Sequence, residues 1–316
     1  MDSNITNRNN VRELNLDLRL DKPFSIPSSL FTCESLTKLE LCASRAIRIP
    51  KSLSFPKLKS LILIGIQFTE DDGWNEKHFS NFPVLENLIL KECTWHGMNK
   101  FCILTPVLKV LEFLNSDLKK DGLQDCDLKI HAPNLVSLSQ VGGVAKDYDL
   151  SSFVKLDRAE ICFYKYDGEE RIGLGAAVSK FFLALSHVRS LEISTFVLET
   201  VLAADDFVNV LPTFLNMNNL DLILGPASDE LIFAFIKAAP NLKRLQCGDE
   251  VLWSDDAGRV FDETQELFRH LQSVGFEGFV GNPRELRWVK FILKNAKSLE
   301  TVNILDMEIT IPKTKM

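Results

Sequence analysis

Phe82-Pro83-Val84-Leu85-Glu86-Asn87-Leu88-Ile89-Leu90-Lys91-Glu92-Cys93 contains the phrase that decides the fold, L-x-x-L-x-L at Leu85, Leu88 and Leu90. Clean copies lie on either side, at Leu36/Leu39/Leu41, Leu58/Leu61/Leu63 and Leu108/Leu111/Phe113. Conservative versions follow at Val11/Leu14/Leu16, Val188/Leu191/Ile193, Leu242/Leu245/Cys247, Leu271/Val274/Phe276 and Leu299/Val302/Ile304. Weaker ones occur at Leu135/Leu138/Gln140, Leu156/Ala159/Ile161 and Met217/Leu220/Leu222, which makes twelve. From Val11 to Leu299 eleven intervals cover 288 residues, a mean near 26, ranging from 21 after Leu135 to 32 after Leu156. Chance does not reproduce that spacing twelve times.

Alternate side chains of a strand face opposite ways, so the last two apolar positions of each phrase point to one side together. One unit cannot bury them alone; the next unit stacked upon it can, and the stacking yields a parallel sheet. Repeats of about 20–29 residues with this phrase are leucine-rich repeats. The predicted fold is therefore an α/β leucine-rich-repeat solenoid, with a parallel sheet on the concave face and helices and loops on the convex face. Leu88 is expected to be one of the leucines buried between neighbouring repeats.

The connectors change along the chain. Early ones carry Phe55-Pro56, Phe82-Pro83 and Thr105-Pro106 just before a strand, where proline ends any helix and turns the chain back. They read as loops with short helical turns. Later ones read as helices. Glu170 to Ser186 places Ile172, Val178, Phe182 and Leu185 at helical spacing. Ser228 is a plausible N-cap for Leu231, Ile232, Phe235 and Ile236, and Asn282-Pro283 opens a third helix with Leu286, Val289, Ile292 and Leu293. Ile236 to Leu242 and Leu293 to Leu299 align, so the repeat persists to the C-terminal segment.

Of the 316 residues, 46% are hydrophobic and 25% charged, with 22 phenylalanines, which is ample for a core. The formal charge of −7 gives no general attraction to nucleic acid or anionic membrane. Met1 to Asn10 lacks the apolar region of a secretory signal, and no apolar run is long enough to span a bilayer. Without a signal, Asn4-Ile5-Thr6 is not read as a glycosylation site. The seven cysteines are odd in number and scattered, as expected of reduced core thiols in a cytoplasmic or nuclear protein.

Catalytic and cofactor patterns are lacking. Cys93-x-x-His96 has no second pair at zinc spacing, and Cys93 is better read as a buried repeat residue. Gly173-Leu174-Gly175 lacks the third glycine and preceding strand of a dinucleotide loop, and is expected to ease helix packing. His78, His96, His131, His187 and His270 fall in unrelated repeats. No nucleophile elbow, carboxylate pair in a cleft or basic cluster suited to a small anionic ligand is evident. The chain is expected not to be an enzyme and to carry no cofactor or metal.

Residues between the inward leucines should face the open side of the sheet. Just before the last apolar position these read Asn15, Glu40, Ile62, Ile89, Glu112, Ser139, Glu160, Glu192, Asp221, Gln246, Gly275 and Asn303. Five are acidic and none is basic. At about 4.8 Å per strand the lane would run on the order of 50 Å. The lane two residues earlier holds Lys38, Arg158 and Arg244. A protein partner with a basic or hydrogen-bonding face is one expectation, and a solvated face that merely keeps the protein soluble is the other. Ile62, Ile64, Ile89 and Val110 form an apolar cluster on this face. Either it is a contact site, or a register shift or the Thr69 to Lys77 insertion with Trp74 covers it.

His270-Leu271-Gln272-Ser273-Val274, Gly278-Phe279, Gly281-Asn282, Glu285-Leu286, Val289 to Ala296 and Leu299-Glu300 together resemble the FBD domain. That domain closes many plant F-box proteins with leucine-rich repeats. Phe82 to Cys93 is similar to the repeat style of the same family, and the resemblance covers about residues 11–310. It implies a polar leader over 1–10, repeats over 11–262, FBD-like repeats over 263–310 and a tail over 311–316. It also implies the part of a ubiquitin-ligase receptor that reads a protein substrate. The family's F-box, which docks a Skp-type adaptor, has no room before Val11, so the adaptor is not expected to bind this chain. The alternative is a stand-alone repeat scaffold unconnected to ubiquitination.

Overall fold

The computed structural model describes residues 11–18, 33–43, 55–70, 79–115, 121–151, 153–164, 173–195, 198, 211–252 and 267–306. The expected leader 1–10 and tail 311–316, the Asn4 sequon, Trp74, His78 and Ile172 lie outside them. The chain divides into two compact units, Met1–Val188 and Arg189–Met316.

The first unit holds, in chain order, β1 (Glu13–Leu18), β2 (Lys38–Ala43), β3 (Ser60–Ile64), β4 (Asn87–Lys91), β5 (Lys100–Leu104), β6 (Val110–Leu114), β7 (Asp127–His131), β8 (Ser137–Gly142), β9 (Asp147–Leu150), β10 (Arg158–Phe163) and helix α1 (Leu174–Ala184). Seven of these strands pair in parallel in the order β1-β2-β3-β4-β6-β8-β10, and every one carries a leucine phrase. In β2, β3 and β4 buried and half-buried residues alternate, with Leu39/Leu41, Leu61/Leu63 and Leu88/Leu90 inward. Leu14 and Leu16 of β1 are only half-buried, because β1 has a neighbour on one side alone among the described strands.

A single turn sets each strand's entry. The first leucine of a phrase donates its N–H to the carbonyl three residues back: Leu58 to Phe55, Leu85 to Phe82, Leu108 to Thr105, Leu135 to Ala132 and Leu156 to Phe153, at 2.9–3.2 Å. Pro56, Pro83, Pro106 and Pro133 occupy the second position of the first four of these turns, where the fixed φ of proline is preorganised, and Val154 takes that place in the fifth. The prolines thus shape the turn into the sheet. The next residue then joins the preceding repeat, as in Lys59 N–H to Thr37 O (2.8 Å), Glu86 to Lys59 (2.9 Å) and Lys109 to Glu86 (2.8 Å).

Beneath the leucines the connectors do more than loop. β5, β7 and β9 form a second, three-stranded parallel sheet that the sequence reading did not foresee. Phe101 of β5 packs with Phe68, Phe79 and Trp95, and Trp95 reaches the inward Phe113 of β6. On β9, Tyr148 packs against Phe181 of α1 with ring centroids 4.9 Å apart, while Lys180 holds Asp147 at 2.7 Å. Gly173 precedes α1 with φ 86° and Gly175 is buried within it, so the pair opens and seats a helix.

The second unit has β11 (Ser190–Ser194), β12 (Asn219–Ile223), helix α2 (Asp229–Ala238), β13 (Arg244–Cys247), β14 (Ser273–Phe276), helix α3 (Pro283–Asn295) and β15 (Thr301–Ile304). Its five strands pair in parallel in chain order. Ser228 caps α2 by accepting from Leu231 N–H, and Asn282 caps α3 in a capping box with Glu285. Two details differ from expectation. Helix α3 turns Arg284, Trp288, Phe291 and Ile292 inward and leaves Leu286 and Leu293 43% and 59% exposed. The larger rings and a buried ion pair, Arg284–Asp229 at 2.7 Å, fix its rotation. Ile304, read as inward, is exposed because β15 pairs only with β14 among the described strands.

Leu88 is fully buried between flanking strands. Leu88→Ala is expected to lower unfolding free energy by about 2–5 kcal/mol, read by urea denaturation. A loss below about 0.5 kcal/mol would contradict that packing.

Candidate functional site

Strand register places the candidate residues. In the first unit the pairs Asn15–Glu40, Glu40–Ile62, Ile62–Ile89, Ile89–Glu112, Glu112–Ser139 and Ser139–Glu160 form one unbroken lane. In the second unit Glu192, Asp221, Gln246, Gly275 and Asn303 do the same. Lys38 and Arg158 stand two residues earlier, at β2 and β10 of the first unit; Arg244 stands there in the second, one strand over from Asp221. The register is uniform, so no slip accounts for the apolar cluster. Ile62, Ile64, Ile89 and Val110 are each partly exposed, neither buried with the core nor fully open. Of the Thr69 to Lys77 insertion, only Thr69 and Glu70 are described.

The cluster is wider than the sequence reading made it. Leu114 and Val141 are register partners in the lane two residues beyond, where Lys91 also lies, and both are partly exposed. The signal was present, since strict alternation extends one position past the leucine phrase.

The acidic groups are not equivalent. Ser139 is buried and its hydroxyl donates to Glu160 Oε2 at 2.9 Å. Glu112 has no hydrogen bond or ion pair among the described residues. Partial burial pushes its carboxyl above the usual range, and the nearby charge of Glu160 adds to the shift. Asp221 is likewise raised by burial, partly offset by Arg244, and its inaccessible Oδ1 has no hydrogen-bond partner among the described residues. Glu40, Lys38 and Arg158 make no ion pair among the described residues.

The remaining candidates resolve as structure. Cys93 is buried, its Sγ lies 3.5 Å from the carbonyls of Leu63 and Lys91, and burial pushes its thiol up to about 12. Asn115 accepts from Cys93 N–H, donates to Cys93 O and to Asp121, and so closes that corner. His96 is exposed. Among the described residues no cluster of three or more His, Cys, Asp or Glu could hold a metal ion, and no helix is long and apolar enough to cross a membrane. All seven cysteines are free thiols.

Parallel strands entered by a common turn and carrying one leucine phrase each define a leucine-rich-repeat protein. The family model described as "FBD-associated F-box protein At5g56370, LRR repeats" matches residues 4–162, and the FBD model matches residues 266–304. The chain belongs to this plant FBD and leucine-rich-repeat family. Among its relatives in Arabidopsis thaliana, F-box/LRR-repeat protein 13 is 26% identical over 88% of this chain and 62% of its own length. FBD-associated F-box protein At4g10400 is 25% identical over 90% of this chain and 64% of its own. F-box/LRR-repeat protein At3g62440 is 28% identical over 89% and 64%. The chain spans between 52% and 68% of the length of the relatives it matches, and less than two thirds of the three named here. No solved structure matches it significantly.

Proposed function

We propose that this chain is a protein-interaction module whose open sheet face reads a protein partner, as the substrate-recognition region of a plant F-box ubiquitin-ligase receptor would. The observation that carries this reading is the partly exposed apolar cluster around Ile62, Ile64, Ile89 and Val110, flanked in its own lane by Glu40 and Glu112. Contiguous apolar surface on a solvated face is characteristic of contact sites. The F-box names of the relatives and the matched FBD segment support the connection to ubiquitination. The buried free thiols suit a reducing compartment, the cytoplasm or nucleus. No cofactor, nucleic acid or membrane enters this reading.

The test is affinity capture from plant tissue on the whole chain, with Glu160→Lys/Glu192→Lys as control. Specific partners are expected on the parent protein. Their retention should weaken in the variant, and the difference should shrink as salt screens the charges. An identical captured set at every ionic strength would remove the acidic lane from the working surface. The Skp-type adaptor is not expected among the proteins captured on this chain; an in-frame F-box upstream of Met1 in the transcript would support the ligase reading over a scaffold unconnected to ubiquitin.

A further inference from the structure

The lane in the first unit holds a carboxylate that no described residue satisfies. Glu112 sits between Ile89 and Ser139. A serine hydroxyl has one proton to give, and that of Ser139 goes to Glu160. Strand spacing sets the backbones at Glu112 and Glu160 roughly 10 Å apart, with Ser139 between them, and sets Ile89 about 5 Å to the other side. The basic residues on this face are Lys38, Lys91 and Arg158, each in a flanking lane. None pairs with Glu112 among the described residues, and what acts on its carboxyl is burial and the like charge of Glu160. Such a group opposes folding when ionised: its folded-state pKa is raised, so its contribution becomes less favourable as pH rises through that value. Residues that burden the native state in this way are commonly kept for function.

We propose that this face binds a linear peptide segment in which an apolar side chain seats on Ile62, Ile89 and Val110 and an adjacent arginine or lysine reaches over Ser139 to Glu112 and Glu160. The proposal rests on the interaction-module reading above and names the class of partner. Ile62 and Ile89 are direct register partners, and Val110 lies on the strand beside Ile89. The apolar seat and the acidic pair are therefore contiguous. A cation placed above Ser139 would relieve the Glu112–Glu160 repulsion and supply the donor that Glu112 lacks. The apolar neighbour excludes water from the pair and strengthens it.

The experiment pans a random peptide display library on the whole chain. Enriched synthetic peptides are then measured by fluorescence anisotropy against the parent, Glu112→Gln and Ile89→Thr. The expected peptides carry arginine or lysine next to an apolar residue. Glu112→Gln should weaken them by about tenfold to a hundredfold while thermal stability holds or rises, which separates lost binding from lost folding. Ile89→Thr should weaken them too. Enriched peptides without a basic residue, or no enrichment at all, would overturn the proposal. Peptides indifferent to both substitutions would also overturn it while leaving the interaction-module reading intact, because they would bind elsewhere on the chain.

Discussion

Replacing Asp229 by alanine is expected to lower the stability of the second unit by about 3–5 kcal/mol, the range for breaking a buried ion pair from one side. Asp229, at the start of α2, is almost fully buried, and its Oδ1 accepts from Arg284 Nε at 2.9 Å and from the same guanidinium again at 2.7 Å. Trp288 Nε1 donates to that oxygen at 2.8 Å, and Arg287 reaches Oδ2 at 3.3 Å. Arg284 is 2% exposed and also donates to the Ala227 carbonyl. Without Asp229 the guanidinium would lose the carboxylate that holds it through two bonds, and the indole N–H would lose the oxygen it donates to. Urea unfolding, with hydrogen exchange to localise the loss to α2 and α3, measures the effect. The double variant Asp229→Ala/Arg284→Met should recover part of it, since it removes both members of the buried pair while the Trp288 indole still loses its bond to Asp229. A single-variant loss under 1 kcal/mol, or no recovery in the double, would mean that the pair does not anchor the FBD helix to its neighbour.

Trp95→Ala should be comparably damaging, at about 3–5 kcal/mol, because it empties the centre of an aromatic cluster. Trp95 is buried and stacks on Phe68 at 5.7 Å, with Phe101 and Phe113 at 5.8 and 6.0 Å. Its indole nitrogen has no hydrogen-bond partner among the described residues. A buried donor left unpaired costs about 1–3 kcal/mol, so Trp95→Phe removes a liability along with some volume. The phenylalanine variant is expected to lose far less than the alanine variant in the same urea titration. Equal losses would imply that the N–H is satisfied in solution, for instance by an ordered water.

Much of the main sheet was legible because the leucine phrase is dictated by burial. A strand covered on one face and open on the other must alternate, and all twelve phrases become strands. Even the weak Leu135/Leu138/Gln140 copy obeys. Gln140 points inward and is accommodated by donating to the Tyr148 hydroxyl at 2.9 Å and to Gly143 O. The second sheet was missed although Leu128/Ile130 and Tyr148/Leu150 alternate with charged residues, because these pairs and the unbroken apolar run Phe101 to Leu104 lack the leading leucine that announces a repeat. The rotation of α3 was not readable either. Apolar spacing favoured Leu286 and Leu293, while an arginine is normally exposed, and its acceptor stands 55 residues away in sequence. For the candidate site, alternation set the lane residues opposite the inward leucines, in one continuous register within each unit. It could not say that Ser139 serves Glu160 and leaves Glu112 without a donor, since the direction of one hydroxyl proton is a matter of local geometry.

The turn at each strand entrance has a consequence for how such a protein tolerates change in length. Since alignment between neighbours is established in the few residues from turn to strand, the stretch that follows is released from any duty to measure distance. Within the first unit spacers therefore differ by as many as six residues, from 21 to 27, without displacing a rung of its ladder. Within that unit, variation in bulk and chemistry is thereby confined to one side of the sheet, and the opposite side keeps a fixed grid on which recognition can be altered one side chain at a time.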